Sequence, residues 1–181
     1  MTDAFFDMEP VIQGHLDMVC QKNEDTDFDF ETQGIDMFVD GDWVKARGTT
    51  LGADNGIGVA SAMALLASDD IQHPPLEALF TIDEETGMTG AMALKGGLLD
   101  AEIMLNLDSE DDSEITIGCA GGVDVTVTGT FETVAAEPGC KTYHLAVKGL
   151  TGGHSGMDIH LGRANANKLL NRILMEADNE V

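Results

Sequence analysis

Five short clusters of histidine and acidic residues, most of them placed just after an apolar run, constrain this chain more than any other feature. They are Gly14-His15-Leu16-Asp17, Gly52-Ala53-Asp54-Asn55-Gly56, Asp83-Glu84-Glu85-Thr86-Gly87, Asn106-Leu107-Asp108-Ser109-Glu110 and Gly152-Gly153-His154-Ser155-Gly156. Apolar runs this short read as strands, and loops that follow the strands of an α/β sheet converge over its carboxyl edge. Imidazoles and carboxylates gathered there form the donor set that a pair of divalent cations takes. The pattern points to metal-dependent hydrolysis.

Composition sets the bounds around that reading. A chain of 181 residues with 43% hydrophobic content can bury a core and supports one or two domains. Nine Lys and Arg against 33 Asp and Glu leave a formal net charge of −24. Such a field repels phosphate backbones and anionic lipid, so neither nucleic acid nor membrane is expected as a partner. A solvated surface accounts for most of the acids; salt adaptation and a local need for cations are both compatible with the excess. Cys20, Cys119 and Cys140 are odd in number, widely spaced and form no C-x-x-C pair, so neither a disulfide framework nor a thiolate zinc site is indicated, and a reducing cytoplasm fits. The acidic start Met1 to Asp7 carries no basic region with an apolar stretch, and no run reaches the roughly 18 apolar residues of a membrane span.

Along the chain, Val11-Ile12-Gln13 is a short strand feeding into His15 and Asp17. An irregular acidic connection follows from Lys22, with a hairpin around Val39 to Val44. Ile57 to Ala67 carries small helix-forming residues on nearly every side, suited to a helix packed closely on a sheet, with Asp54 and Asn55 at its entry. Leu76 to Ile82 and Ile103 to Leu107 are nearly continuous apolar runs, the pattern of strands covered on both faces. Residues 88 to 95 read as the helix between them, ending at Gly96-Gly97. After Gly121-Gly122 the period changes. Val123, Val125 and Val127, and then Tyr143, Leu145 and Val147, alternate with Asp124, Thr126, Thr128, His144, Ala146 and Lys148, predicting half-exposed antiparallel strands. Apolar positions 166, 169, 170, 173 and 174 predict an amphipathic helix over 163–177 that covers one face of that sheet. The expected fold class is α/β. Residues 1–121 form part of a catalytic domain with a central, mostly parallel sheet, and residues 122–181 part of an α+β lid and dimerisation domain.

The phrases Gly-His-Leu-Asp-Met-Val, Ala-Arg-Gly-Thr-Thr-Leu-Gly-Ala-Asp-Asn-Gly-Ile-Gly, Asp-Glu-Glu-Thr-Gly-Met, Asn-Leu-Asp-Ser-Glu, Gly-Cys-Ala-Gly-Gly and Lys-Gly-Leu-Thr-Gly-Gly-His-Ser-Gly-Met-Asp-Ile-His carry a resemblance. In that order, from about residue 10 to 175, the chain resembles the bacterial aminoacyl-histidine or cytosol non-specific dipeptidases. These belong to the co-catalytic zinc metallopeptidases that include carnosinases, aminoacylases and carboxypeptidase G. The resemblance implies a cytoplasmic, zinc-dependent peptidase of dipeptides, of Xaa-His type or broad specificity, with two zinc ions per complete site, replaceable by manganese or cobalt, and a homodimeric assembly. It implies Asp54 as the carboxylate bridging the two cations, roughly 3.5 to 4 Å apart. His15 and Asp108 would complete one cation's ligands and Glu85 would bind the other. It also implies Glu84 as the general base and Asp17 as the acid that orients the His15 ring. His154, often supplied by the partner subunit, would donate to the substrate carbonyl oxygen. The Asp54-Asn55 peptide is expected to be cis.

Two features of the family set are missing from these residues, namely a further downstream histidine ligand and an N-terminal region of several tens of residues. The expectation is therefore a partial chain that holds at most one metal well and hydrolyses dipeptides poorly or not at all. His73 and His144 are expected to have no chemical role, and His160 is open between a substrate contact and none.

Rival motifs are weaker. Gly56-Ile57-Gly58 has Ser61 where a dinucleotide fingerprint needs its third glycine, and Gly153-His154-Ser155-Gly156 lacks the spacing of a nucleophile elbow. Asp25, Asp27, Asp29 and Glu31 alternate like a calcium loop, which makes a non-enzymatic calcium-binding module the alternative. Phe30, however, stands where such loops need glycine.

Overall fold

The computed structural model describes residues 7–109, 111–123, 125–154 and 156–179. Glu110 and Ser155 of the clusters, Asp124 of the alternating run and Met1 to Phe6 of the acidic start lie outside the described residues. The chain separates into two compact units, Met1–Gly122 and Val123–Val181.

The first unit is built on strand β1, Pro10–His15, whose apolar start Pro10-Val11-Ile12 is buried. A hairpin follows, β2 at Met37–Asp40 and β3 at Trp43–Ala46, paired antiparallel. Then come helix α1, Ala53–Leu66, strand β4, Glu77–Thr81, a short helix α2, Thr89–Met92, and strand β5, Ile103–Asn106. The main sheet has the order β4-β1-β5, and both neighbours run parallel to β1. Its register pairs His15 with Thr81 and Gln13 with Asn106, so all three strands end at the same edge. Side chains reinforce the alignment: Gln13 donates to Thr81 Oγ1 at 3.3 Å and accepts from Asn106 Nδ2. The α/β expectation with a parallel sheet therefore holds for this unit.

Helix α1 lies against β1 through its smallest residues. Ala62 is 0% exposed and Gly58 is buried, while Gly14 on the strand faces Asn55 and Val59. A Cβ on Gly58 would come 2.7 Å from the Leu107 carbonyl oxygen, closer than van der Waals contact permits. The absence of side chains at 14 and 58 is what lets helix and sheet approach.

Helix α2 is shorter than the expected span of 88–95. Met88 takes a left-handed backbone (φ 53°), which cannot be a first helical turn, and the amide of Gly90 bonds back to the Ile82 carbonyl instead.

In the second unit, the described residues contain a single 3-10 turn at Ile159–Leu161 and helix α3 at Ala166–Asn179. The expected antiparallel strands at 123–127 and 143–147 are absent among the described residues. Val127 is 90% exposed and Tyr143 80% exposed. Alternation marks a surface that suits a strand, but a strand exists only where a neighbour accepts its hydrogen bonds, and none of the described residues does so here. Ile173 and Leu174 on the apolar stripe of α3 are exposed.

The α1 packing yields a comparison of two glycines. Gly56→Ala, at an exposed position with nothing within 4 Å of the added methyl, should raise stability by about 0.5–1 kcal/mol through helix propensity. Gly58→Ala adds the same propensity but should lower stability by about 1–3 kcal/mol through overpacking. Urea unfolding midpoints of both variants check the opposite signs, and a stabilised Gly58→Ala would refute the packing.

Candidate metal centre

Because the three parallel strands end together, the segments that leave them converge. His15 closes β1, Asp83-Glu84-Glu85 follows β4, and Asp108 follows β5. Asp54 arrives from the first turn of α1, where it and Asn55 depart from helical geometry and are joined by a cis peptide bond. The structure thus brings His15, Asp17, Asp54, Glu84, Glu85 and Asp108 to one edge.

His15 is the centre of this group and is 2% exposed. Its Nδ1 lies 2.9 Å from the Asp17 main-chain carbonyl. A carbonyl only accepts, so Nδ1 carries a proton and Nε2 is the nitrogen turned toward the acids. Nε2 faces Asp54 Oδ1 at 3.0 Å and Asp108 Oδ1 at 3.4 Å, with Glu84 Oε2 at 4.0 Å. Lone pairs aimed at one another repel unless a proton or a cation lies between them. Burial lowers the His15 pKa, but Asp108, the Asp17 carbonyl and Asp54 outweigh it and hold it above its usual range.

The carboxylates bear the same stress. Burial, then the hydrogen-bonded contact with Asp54 and its charge, push Asp108 up to about 6. Burial first, then the charges of Asp54 and Glu84, raise Glu85. Asp17 goes the other way: burial would raise it, but the main-chain amides of Glu85 and Glu84, each donating at 3.1 Å, bring it below the ordinary carboxylate range. The sequence reading gave the Asp17 carboxylate the task of orienting His15. In the structure its carbonyl makes that bond, while the carboxylate stands 3.5 Å from Nδ1 and anchors the Glu84-Glu85 backbone.

These residues fit a divalent cation. One ligand atom each from His15, Asp54 and Glu85 lie within 4.8 Å of one another. Zinc bonds of about 2.0–2.1 Å in a tetrahedron separate neighbouring donors by about 3.3 Å. The 3.4 Å between His15 Nε2 and Asp108 Oδ1 matches that edge. Asp54 and Glu85 also line a cleft of about 260 Å³, walled by Met18, Val19 and Leu51, that gives a small ligand access to the edge. The acidic run at 25–31 forms no such cluster among the described residues, and Asp29 instead caps Glu31 N and Thr32 Oγ1.

One residue of this site carries more than the sequence reading assigned. Asn55, noted there only for its peptide bond, is buried and hydrogen-bonded to three groups around the cluster. The signal was its place beside Asp54, but nothing in a sequence tells an amide that faces inward from one in a loop.

His154 belongs to the second unit. Its Nδ1 accepts the amides of Gly156 and Met157 at 3.1 and 3.0 Å, so the ring proton sits on Nε2, which is left to donate. Asp158 accepts from the His154 amide and from Arg163, holding this loop.

Comparison with known proteins is consistent with this geometry. A family model described as Peptidase family M20/M25/M40 matches residues 11–166. The cytosol non-specific dipeptidase of Escherichia coli (strain K12) is 56% identical over 164 residues, covering 91% of this chain and 34% of that protein. The uncharacterized protein YqjE of Bacillus subtilis (strain 168) is 32% identical over 138 residues, covering 74% of this chain and 32% of that one. The crystal structure of an aminoacylhistidine dipeptidase from Vibrio alginolyticus superposes with a TM-score of 0.62 at 52% identity, covering 92% of this chain and 34% of that chain. The chain thus spans about a third of the length of these relatives. With most of its length matched and its parallel sheet shared, the chain belongs to Peptidase family M20/M25/M40.

Proposed function

We propose that this cluster is the metal centre of a dipeptidase that cleaves dipeptides, of the Xaa-His type or more broadly, with zinc as its metal. The observation that carries the reading is the Nε2 of a buried His15 facing Asp54 and Asp108 at 3.0 and 3.4 Å. The names of the two dipeptidase relatives support the substrate class. That of the Escherichia coli protein agrees with a cytosolic setting, and among the described residues no helix is long and apolar enough to cross a membrane.

In this reading His15, Asp54 and Asp108 would hold one cation, and Asp54 and Glu85 would offer donors to a second. Manganese or cobalt can replace zinc, since carboxylate-rich donor sets discriminate weakly between these ions. The bound metal supplies Lewis-acid polarisation of the peptide carbonyl and a lowered pKa for the attacking water. Everything else falls to side chains. Glu84, whose carboxylate reaches the edge of the cluster beside His15, takes the proton of the attacking water and passes it to the leaving amine. Asp17 keeps His15 in the tautomer that exposes Nε2 and holds the Glu84-Glu85 backbone. His154, supplied by the partner subunit of a dimer, would donate from Nε2 to the carbonyl oxygen as its charge develops.

Two measurements bear on this. Native mass spectrometry of the 181-residue chain should find a single tightly held zinc, and Asp54→Ala should lose it. Zinc uptake unchanged by Asp54→Ala would instead favour the acidic loop at 25–31 as the cation site. Glu84→Gln should keep the wild-type zinc content and, made in a longer polypeptide that supplies the further histidine ligand, lower dipeptide hydrolysis at saturating zinc by about 10²–10⁴-fold, the range of general-base contributions. Wild-type turnover in Glu84→Gln would remove Glu84 from the mechanism.

A further inference from the structure

We infer that Asn55 is a positioning residue of the metal centre, whose side-chain amide sets the spacing between His15 and Asp108. The inference rests on the metal-centre reading proposed above. Asn55 Oδ1 accepts the main-chain amide of His15 at 3.3 Å, and Nδ2 donates to the Leu107 carbonyl at 2.6 Å and to Asp108 Oδ1 at 2.8 Å. A main-chain N–H only donates and a carbonyl only accepts, so these partners fix which end of the amide is which. The Asp108 oxygen gripped in this way is the same one that lies 3.4 Å from His15 Nε2. Asn55 therefore touches one donor of the centre through its backbone and another through its carboxylate, and adjoins a third, Asp54, in the chain.

The surrounding backbone is cut to fit this amide. A Cβ on Gly58 would come 2.6 Å from Asn55 Oδ1, and a Cβ on Gly14 would strike the same atom. Two glycines on different elements thus leave room for one side chain. Asn55 has no part in proton transfer; its effect is on how well the donors are held for a cation.

Cobalt(II) is the probe, because its visible spectrum reports both affinity and coordination. Asn55→Leu keeps the four-atom outline branched at Cγ, with bulkier methyl ends, and removes all three hydrogen bonds. It should weaken cobalt binding by about 10–100-fold, the usual effect of losing a group that orients metal ligands, and alter the visible bands at saturation. Cobalt affinity and spectrum identical to wild type would overturn the inference and leave the metal centre standing. Failure of the wild-type chain to take up cobalt would overturn both. Should Asn55→Leu fail to fold, ¹⁵N spectra of the wild-type chain decide: the Asn55 side-chain amide should shift on zinc addition, and an amide that does not respond refutes the assignment.

Discussion

A buried imidazole with its Nε2 turned toward carboxylates is the constraint around which the first unit is arranged. His15 sits at the end of the central strand, donates through Nδ1 to the Asp17 carbonyl, and presents Nε2 to Asp54 and Asp108. Without a proton or cation between them, these groups repel. The arrangement is retained because the scaffold holds each group from a separate element: β1 holds His15, α1 holds Asp54, and the exits of β4 and β5 hold Glu85 and Asp108. The raised pKa values of His15, Glu85 and Asp108 are the same stress seen from three sides.

Packing and chemistry are joined at this edge. The close approach of α1 to β1, made possible by Gly14 and Gly58, delivers Asp54 to His15 and leaves the niche that Asn55 fills. Asp17 does the equivalent on the other side, tying the exit of β1 to the exit of β4 through the amides of Glu84 and Glu85. Asn55 ties β1 to β5. Two short polar side chains thus link all three strand ends, using hydrogen bonds where apolar contacts would block access to the cleft.

Much of this was legible in the lettering. Short apolar runs followed by His15, Glu85 and Asp108 announced parallel strands with imidazole and carboxylate groups at their ends, because strands covered on both faces are apolar throughout and their loops are where polar groups collect. The small residues of Ile57 to Ala67 announced a helix lying close on a sheet. The alternating stretch from Val123 misled, because alternation describes the two sides of a strand and says nothing about whether a partner is present to pair with it. Asn55 was passed over because its importance lies in three contacts made at sequence separations of 40, 52 and 53 residues.

What the sequence determined by itself, then, was the inventory: which donor types exist, that they follow strands, and the family whose phrases they share. Those follow from local chemistry, since hydrophobic period and residue type are properties of neighbours along the chain. Tertiary structure decided the rest. It set the parallel register that puts the strand ends level, gave the orienting bond to the Asp17 carbonyl and left the carboxylate to brace Glu84 and Glu85, and gave Asn55 its place between His15 and Asp108. Each of these depends on which distant segments meet, and hydrogen bonding is too directional for composition or spacing to decide that.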